Sequence, residues 1–259
     1  MKLRIYQIDA FAEKPFEGNP AAICPLDSWL DDEILQAIAG ENNLSETAYI
    51  VPNEKGYHVR WFTPTTEVNL CGHATLAAAF VVFNELGFKG EKLIFDSRSG
   101  ELVVTREGDL FTMNFPSLVP KRCDISPVLV ETLGIWPLEV LSADDYIAVF
   151  EREEDILEMT PDLYRMTQLD RRGVVVTARG KNCDFVSRFF APNYGINEDP
   201  VTGSAHCELA PYWGRRLKKE KMTARQVSAR GGTVHCEVKE ERVFLSGRAV
   251  KFMEGEIYI

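Results

Sequence analysis

The chain has 259 residues, 45% of them hydrophobic and 26% charged, with a formal net charge of -10. That length allows one large domain or two modest ones, and the acidity argues against nucleic acid or an anionic membrane as partner. No apolar run approaches the roughly 20 residues that span a bilayer, so the expected partner is a small molecule and the expected location the cytoplasm.

Residues 3–9 alternate like a strand rather than forming a secretory h-region. The Pro15, Gly18, Asn19 and Pro20 cluster reads as a loop before a short apolar segment, 21–24. Asp31 or Asp32 can cap a helix reaching about Gly40, with Ile34, Leu35 and Ile38 on one face. A polar stretch, 42–46, leads into strands at 47–51 and 58–62. Residues 71–86 form a helix apolar nearly all the way round, which must be buried on every side. Turn-bounded strands follow at 92–96, 101–106 and 110–115.

The second half repeats the theme. Strands are expected at 173–178 and 184–190, and a helix opens after Asp199 and reaches about Lys218. Pro211 inside it predicts a kink or an early end. The basic residues Arg215, Arg216, Lys218, Lys219 and Lys221 read as the solvated end of that helix. Arg60-Trp61-Phe62-Thr63-Pro64 followed by Cys71-Gly72-His73-Ala74 parallels Arg188-Phe189-Phe190-Ala191-Pro192 followed by Thr202-Gly203-Ser204-Ala205. Two copies suggest duplication into two pseudo-symmetric lobes. The lobes are expected at 1–117 and 118–259, dividing in the proline-containing stretch 116–127; whether the last strand, about 249–259, returns to the first lobe is left open.

Gly72 and Gly203 stand at two helix starts, where free N–H groups and the helix dipole favour an anion such as a substrate carboxylate. His73 and Ser204 occupy equivalent places beside them, Asp199 precedes the second helix, and Glu46 opens a strand. A proton shift needs one group to remove a proton and another to deliver it, so these four are the candidate catalytic residues.

The motifs Ala10-Phe11, Pro15-Phe16-Glu17-Gly18-Asn19-Pro20-Ala21, Asn43-Leu44-Ser45-Glu46-Thr47, Arg60-Trp61-Phe62-Thr63-Pro64, Leu70-Cys71-Gly72-His73-Ala74-Thr75 and Glu198-Asp199-Pro200-Val201-Thr202-Gly203-Ser204-Ala205-His206 resemble the PhzF-like (phenazine-biosynthesis) family in order and spacing, across essentially the whole chain. The resemblance implies an α+β, diaminopimelate-epimerase-like fold: two pseudo-symmetric lobes, each a curled, mostly antiparallel sheet or barrel around a central helix, with the site in the cleft between them. It implies that Glu46 matches the main acid/base, assisted by His73, Asp199 and Ser204. It also implies a homodimer using no cofactor and an isomerase acting on a small amino-acid-like or cyclic dienoic acid. Gly72, Gly203, Cys71 and Thr202 are the expected substrate-binding positions.

Six cysteines, Cys24, Cys71, Cys123, Cys183, Cys207 and Cys236, are scattered singly and read as reduced thiols. Related epimerases pair a thiol at the place of Cys71 with a second one from the other lobe. This chain has no cysteine in 199–204, which disfavours a two-thiol racemase. A thiol hydrolase using Cys71 with His73 is disfavoured because two positions on a helix differ in direction by about 200 degrees. No metal is expected: the neighbours in His206-Cys207 and His235-Cys236 diverge, and four ligands would not converge. A non-catalytic metabolite- or partner-binding protein on the same fold is the alternative.

Overall fold

The alternating start of the chain is strand β1 (Lys2–Ala10) of the computed structural model, which describes residues 1–259. Two units compose the chain: Met1–Asn114 with Ser246–Ile259, and Phe115–Leu245. The first contains β1, β2 (Asn19–Pro25), α1 (Asp32–Asn42), β3 (Glu46–Pro52), β4 (Tyr57–Phe62), β5 (Glu67–Val68), α2 (Gly72–Asn84), β6 (Lys92–Ser97), β7 (Gly100–Glu107) and β8 (Leu110–Pro116). The last strand of the chain, Ala249–Tyr258, lies antiparallel along β1 in this same unit.

β2 and β3 are parallel, which requires a crossover, and α1 supplies it. One face of the sheet receives α1 through Leu35, Ile38 and Ala39, packed with Tyr49 and Val51 of β3. Tyr49 donates its hydroxyl to the Leu35 carbonyl at 2.7 Å. Because side chains alternate along a strand, Thr47, Tyr49 and Val51 face α1, whereas Glu46, Ala48 and Ile50 face the other way, toward α2. α2 packs on β1, β2 and β3 and buries ten of its side chains, as its all-round apolar sequence requires. Its alanines let helix and sheet approach closely. In the turn before β2, Gly18 adopts φ +68, and a Cβ there would stand 2.1 Å from the Ala10 carbonyl oxygen, so only glycine fits.

The second unit runs β9 (Lys121–Arg122), α3 (Pro127–Leu133), β10 (Glu139–Ser142), β11 (Tyr146–Val149), α4 (Glu153–Leu157), α5 (Leu163–Met166), β12 (Val174–Arg179), β13 (Phe185–Ala191), β14 (Ile196–Asp199), α6 (Gly203–Leu217), β15 (Lys221–Gln226), β16 (Gly232–Lys239) and β17 (Arg242–Gly247). Its strand pairing repeats that of the first unit. Parallel β2–β3, antiparallel β3–β4 and β4–β5, parallel β4–β6 and antiparallel β6–β7 recur as β11–β12, β12–β13, β13–β14, β13–β15 and β15–β16. A long helix follows the third pair in each case.

The recurring Arg-aromatic motif has a structural job in both units. Arg60 donates through Nε and Nη2 to both carboxylate oxygens of Glu67, each at 2.7 Å, and lies over the Phe62 ring. Arg188 does the same with Glu198, at 2.7 and 3.0 Å, and lies over Phe190. Such forked pairs fix the strand-to-loop geometry that leads into each long helix.

Pro211 neither ends α6 nor stops it short; the helix continues to Leu217. Proline removes the N–H that would bond the carbonyl four residues back, at Cys207. That carbonyl instead accepts the Leu118 N–H at 3.1 Å, so the loss is made good from outside the helix. All six cysteines are free thiols, and no helix is long and apolar enough to cross a membrane.

Candidate acid/base site

Glu46 opens β3 on the face toward α2, and His73 is the second residue of that helix. Their meeting follows from strand alternation and from the way helical side chains lean toward the helix N-terminus. Glu46 Oε2 lies 3.1 Å from His73 Nε2, at ion-pair distance though outside hydrogen-bond angles, and the two side chains are 12% and 7% exposed. The other ring nitrogen, Nδ1, is 3.3 Å from Asn19 Nδ2 and 3.5 Å from Cys71 Sγ. Ser45 in turn donates to Asn19 Oδ1 at 3.4 Å. The imidazole is therefore held edge-on between a carboxylate and a thiol.

Burial opposes charge on His73, yet Cys71 and Glu46 beside it hold the imidazole well above the usual histidine value. Burial and the Glu46 charge push the Cys71 thiol up to about 11, against the pull of His73. Near neutral pH the thiol is thus uncharged, and the Glu46 carboxyl group is the acidic side chain facing the imidazole. A carboxylate without this partner would be costly at such burial.

The close approach of Cys71 to His73 corrects the helical-direction expectation. Cys71 is the N-cap, with extended φ of −143, so it stands outside the helix and the 100-degree step does not apply to it. Glu46, Cys71 and His73 also present an oxygen, a sulfur and a nitrogen within 4.8 Å of one another, a donor set that spacing alone did not suggest. Since Glu46 meets Nε2 and Cys71 meets Nδ1, one ion binding all three would break one of these pairings. His206, in contrast, is a neutral core histidine: burial lowers it to about 4, and Nδ1 lies 2.8 Å from the Thr202 carbonyl oxygen.

In the second unit, Asp199 ends β14 and Thr202 is the N-cap of α6. Thr202 donates its hydroxyl to Asp199 Oδ2 at 2.5 Å. Gln226, fully buried on β15, ties both: its amide donates to the Asp199 carbonyl at 2.7 Å and to Thr202 Oγ1 at 3.1 Å, while its Oε1 accepts the Thr202 N–H at 2.9 Å. Gly203 begins α6, and Ser204 accepts from Arg172 Nη2 at 3.0 Å. The sequence reading missed Asn19, Gln226 and Arg172 as hydrogen-bond partners of these candidate residues. Gln226 was within reach of it, because a glutamine continuing the inward phase of Met222 and Ala224 breaks an apolar alternation.

Residues 8–255 match the family described as phenazine biosynthesis-like protein. The chain belongs to that family. An uncharacterized isomerase of Pseudomonas aeruginosa is 54% identical over 259 residues, covering all of both chains. An uncharacterized isomerase of Halalkalibacterium halodurans is 43% identical, again over the full length of both. Among solved structures, a phenazine biosynthesis protein of the PhzF family from Enterococcus faecalis is 48% identical with a TM-score of 0.98, covering all of both chains. A probable proline racemase from Agrobacterium radiobacter, 8% identical with a TM-score of 0.67 over 99% of this chain and 93% of its own, shares the fold. This phenazine biosynthesis-like protein therefore has the expected α+β, epimerase-like fold, and the isomerase names of its relatives support an isomerase-type activity.

Proposed function

We propose that the protein is a cofactor-independent isomerase that moves a proton on a small carboxylate-bearing metabolite, amino-acid-like or a cyclic dienoic acid. The observation that carries this reading is the buried Glu46 carboxylate 3.1 Å from the His73 imidazole. Glu46 removes a proton from an activated carbon, leaving its electron pair delocalised along the conjugated system. A proton, exchangeable with solvent while Glu46 carries it, is then delivered to a different carbon, so the double bond shifts and no net charge or redox change results. His73, 3.1 Å away, is placed to answer the change of charge on Glu46 during the step.

Asp199 and Ser204 are assigned assisting roles, and the main-chain N–H groups at Gly72 and Gly203, with the neighbouring Cys71 and Thr202, bind substrate, in keeping with the family resemblance. A cytoplasmic homodimer is part of the proposal, and light scattering reads the mass. The reaction is tested by incubating the protein in heavy water with a library of small carboxylic acids. A compound that gains deuterium with wild type and not with Glu46→Gln supports the reading; exchange that persists in Glu46→Gln removes Glu46 from it.

A further inference from the structure

The strand registers of the two units place an unassigned cation beside the second helix start. Arg60 pairs with Tyr49 across β3–β4, and Arg188 pairs with Val176 across β12–β13. Aligning the two arginines brings Glu46 onto Gly173 and Ser45 onto Arg172, just as the helix starts bring His73 onto Ser204. The second unit thus has no acid at the place of Glu46. Next to that place it carries a guanidinium, which touches the counterpart of His73.

Arg172 is built into position. Its Nε donates to Asp145 Oδ1 at 3.0 Å, its Nη2 donates to Asp145 Oδ2 and to Ser204 Oγ, and its guanidinium lies over the Phe189 ring at 5.3 Å. Asp145 is fully buried, whereas the Arg172 side chain remains 34% exposed. The two N–H groups of Nη1 have no protein acceptor, so a rigid fork keeps one edge available. Because Ser204 Oγ accepts from Nη2, its own hydroxyl proton is left to be donated elsewhere. Nη1, the Ser204 hydroxyl and the opening N–H groups of the 15-residue α6 are all donors.

A purely structural ion pair would need none of this. Asp145 pairs directly with Arg172; Asp144 and Glu208 are the other acids near it, and Glu208 lies one helical turn past Ser204. Glu208 is fully buried, and neither of its carboxyl oxygens has a hydrogen-bond partner. Burial first, then the charges of Asp145 and Asp144, push it up to about 8, against the pull of Arg172. Glu208 is thereby held toward its protonated form and makes no hydrogen bond to the guanidinium.

We propose that Arg172 is a substrate-anchoring residue that binds a carboxylate through Nη1 while orienting the Ser204 hydroxyl toward the same anion. This rests on the proposed carboxylate-bearing substrate and adds the side chain that recognises it.

The test follows arginine side-chain and backbone amide NMR signals while sodium benzoate is added to the wild-type protein at constant ionic strength, with benzyl alcohol as the uncharged control. A saturable shift of Arg172 and of the Ser204 amide with benzoate and not with benzyl alcohol is expected. Arg172→Met should weaken benzoate binding about tenfold or more, the loss of one charge-assisted contact. Arg172→Lys keeps the pairing with Asp145, and hence the fold, but lacks the fork, and should weaken it several-fold. Absence of a saturable Arg172 shift up to tens of millimolar benzoate overturns the proposal, and so does unchanged affinity in Arg172→Lys and Arg172→Met. Deuterium exchange dependent on Glu46 is read separately, so its failure is told apart from failure of the anchor.

Discussion

Nε2 of His73 stands 3.1 Å from Oε2 of Glu46, with both side chains shielded from water. The pairing joins the first turn of a buried helix to the first residue of a strand. Replacing Glu46 by Gln preserves shape while removing the base. Glu46→Gln should keep the circular dichroism spectrum and lose about 10²- to 10⁴-fold in deuterium-exchange turnover, the usual contribution of a positioned general base.

His73 is held well above its ordinary value near 6.5. A raised histidine stabilises the fold fully below that ordinary value, and the contribution disappears as pH rises through the higher folded value. Thermal midpoints measured from pH 6 upward should therefore fall more steeply for wild type than for His73→Asn. Parallel curves would mean that the imidazolium contributes nothing to stability.

Glu208 has the same sign by a different cause. Its value rises from 4.5 to about 8 mainly through burial, so the native state holds a proton that the unfolded chain releases, and stability falls as pH climbs from about 4.5 through 8. Glu208→Gln keeps the neutral shape at every pH. Urea unfolding at pH 9 should show the variant more stable than wild type by on the order of 5 kcal/mol, with the difference vanishing near pH 4.

Cys71 is buried and its thiol is pushed up to about 11, so little thiolate exists near neutrality. Peptide mass spectrometry after brief iodoacetamide treatment at pH 7 should find Cys71 unmodified in the native protein. Cys71→Ala should hold turnover within about tenfold of wild type, a smaller loss than a general base causes; a greater loss would give the thiol a direct role.

Pro211 within α6 is matched by Leu118, whose N–H occupies the Cys207 carbonyl. Pro211→Ala introduces a second N–H competing for that carbonyl. The change in unfolding free energy should stay within about 1 kcal/mol, well short of the roughly 3 kcal/mol that separates the two residues in an ordinary helix interior.

Much of the fold was legible because it is written in local patterns. The all-round apolar stretch of α2 predicts its burial, and the alternation before Ala10 predicts β1. The paired motifs around Arg60 and Arg188 predict a repeat, which appears as matching strand pairings and matching arginine–glutamate forks. Helix ends were less legible, because α6 passes Pro211 only with the help of a main-chain group nearly a hundred residues earlier.

By itself the sequence determined the strands of the first half, the helices α1, α2 and α6, that the two long helices open on glycine, and which titratable residues flank those openings. These depend on periodicity, propensity and neighbouring residue types, all of which are local. Only the tertiary structure decided that Glu46 meets Nε2 and Cys71 meets Nδ1 of one imidazole, that Gln226 ties Asp199 to Thr202, and that Arg172 reaches Ser204. Such meetings depend on strand register and helix placement, and the shifts of His73, Cys71 and Glu208 depend on the removal of water around them. Both are properties of packing between distant segments, which no stretch of sequence carries alone.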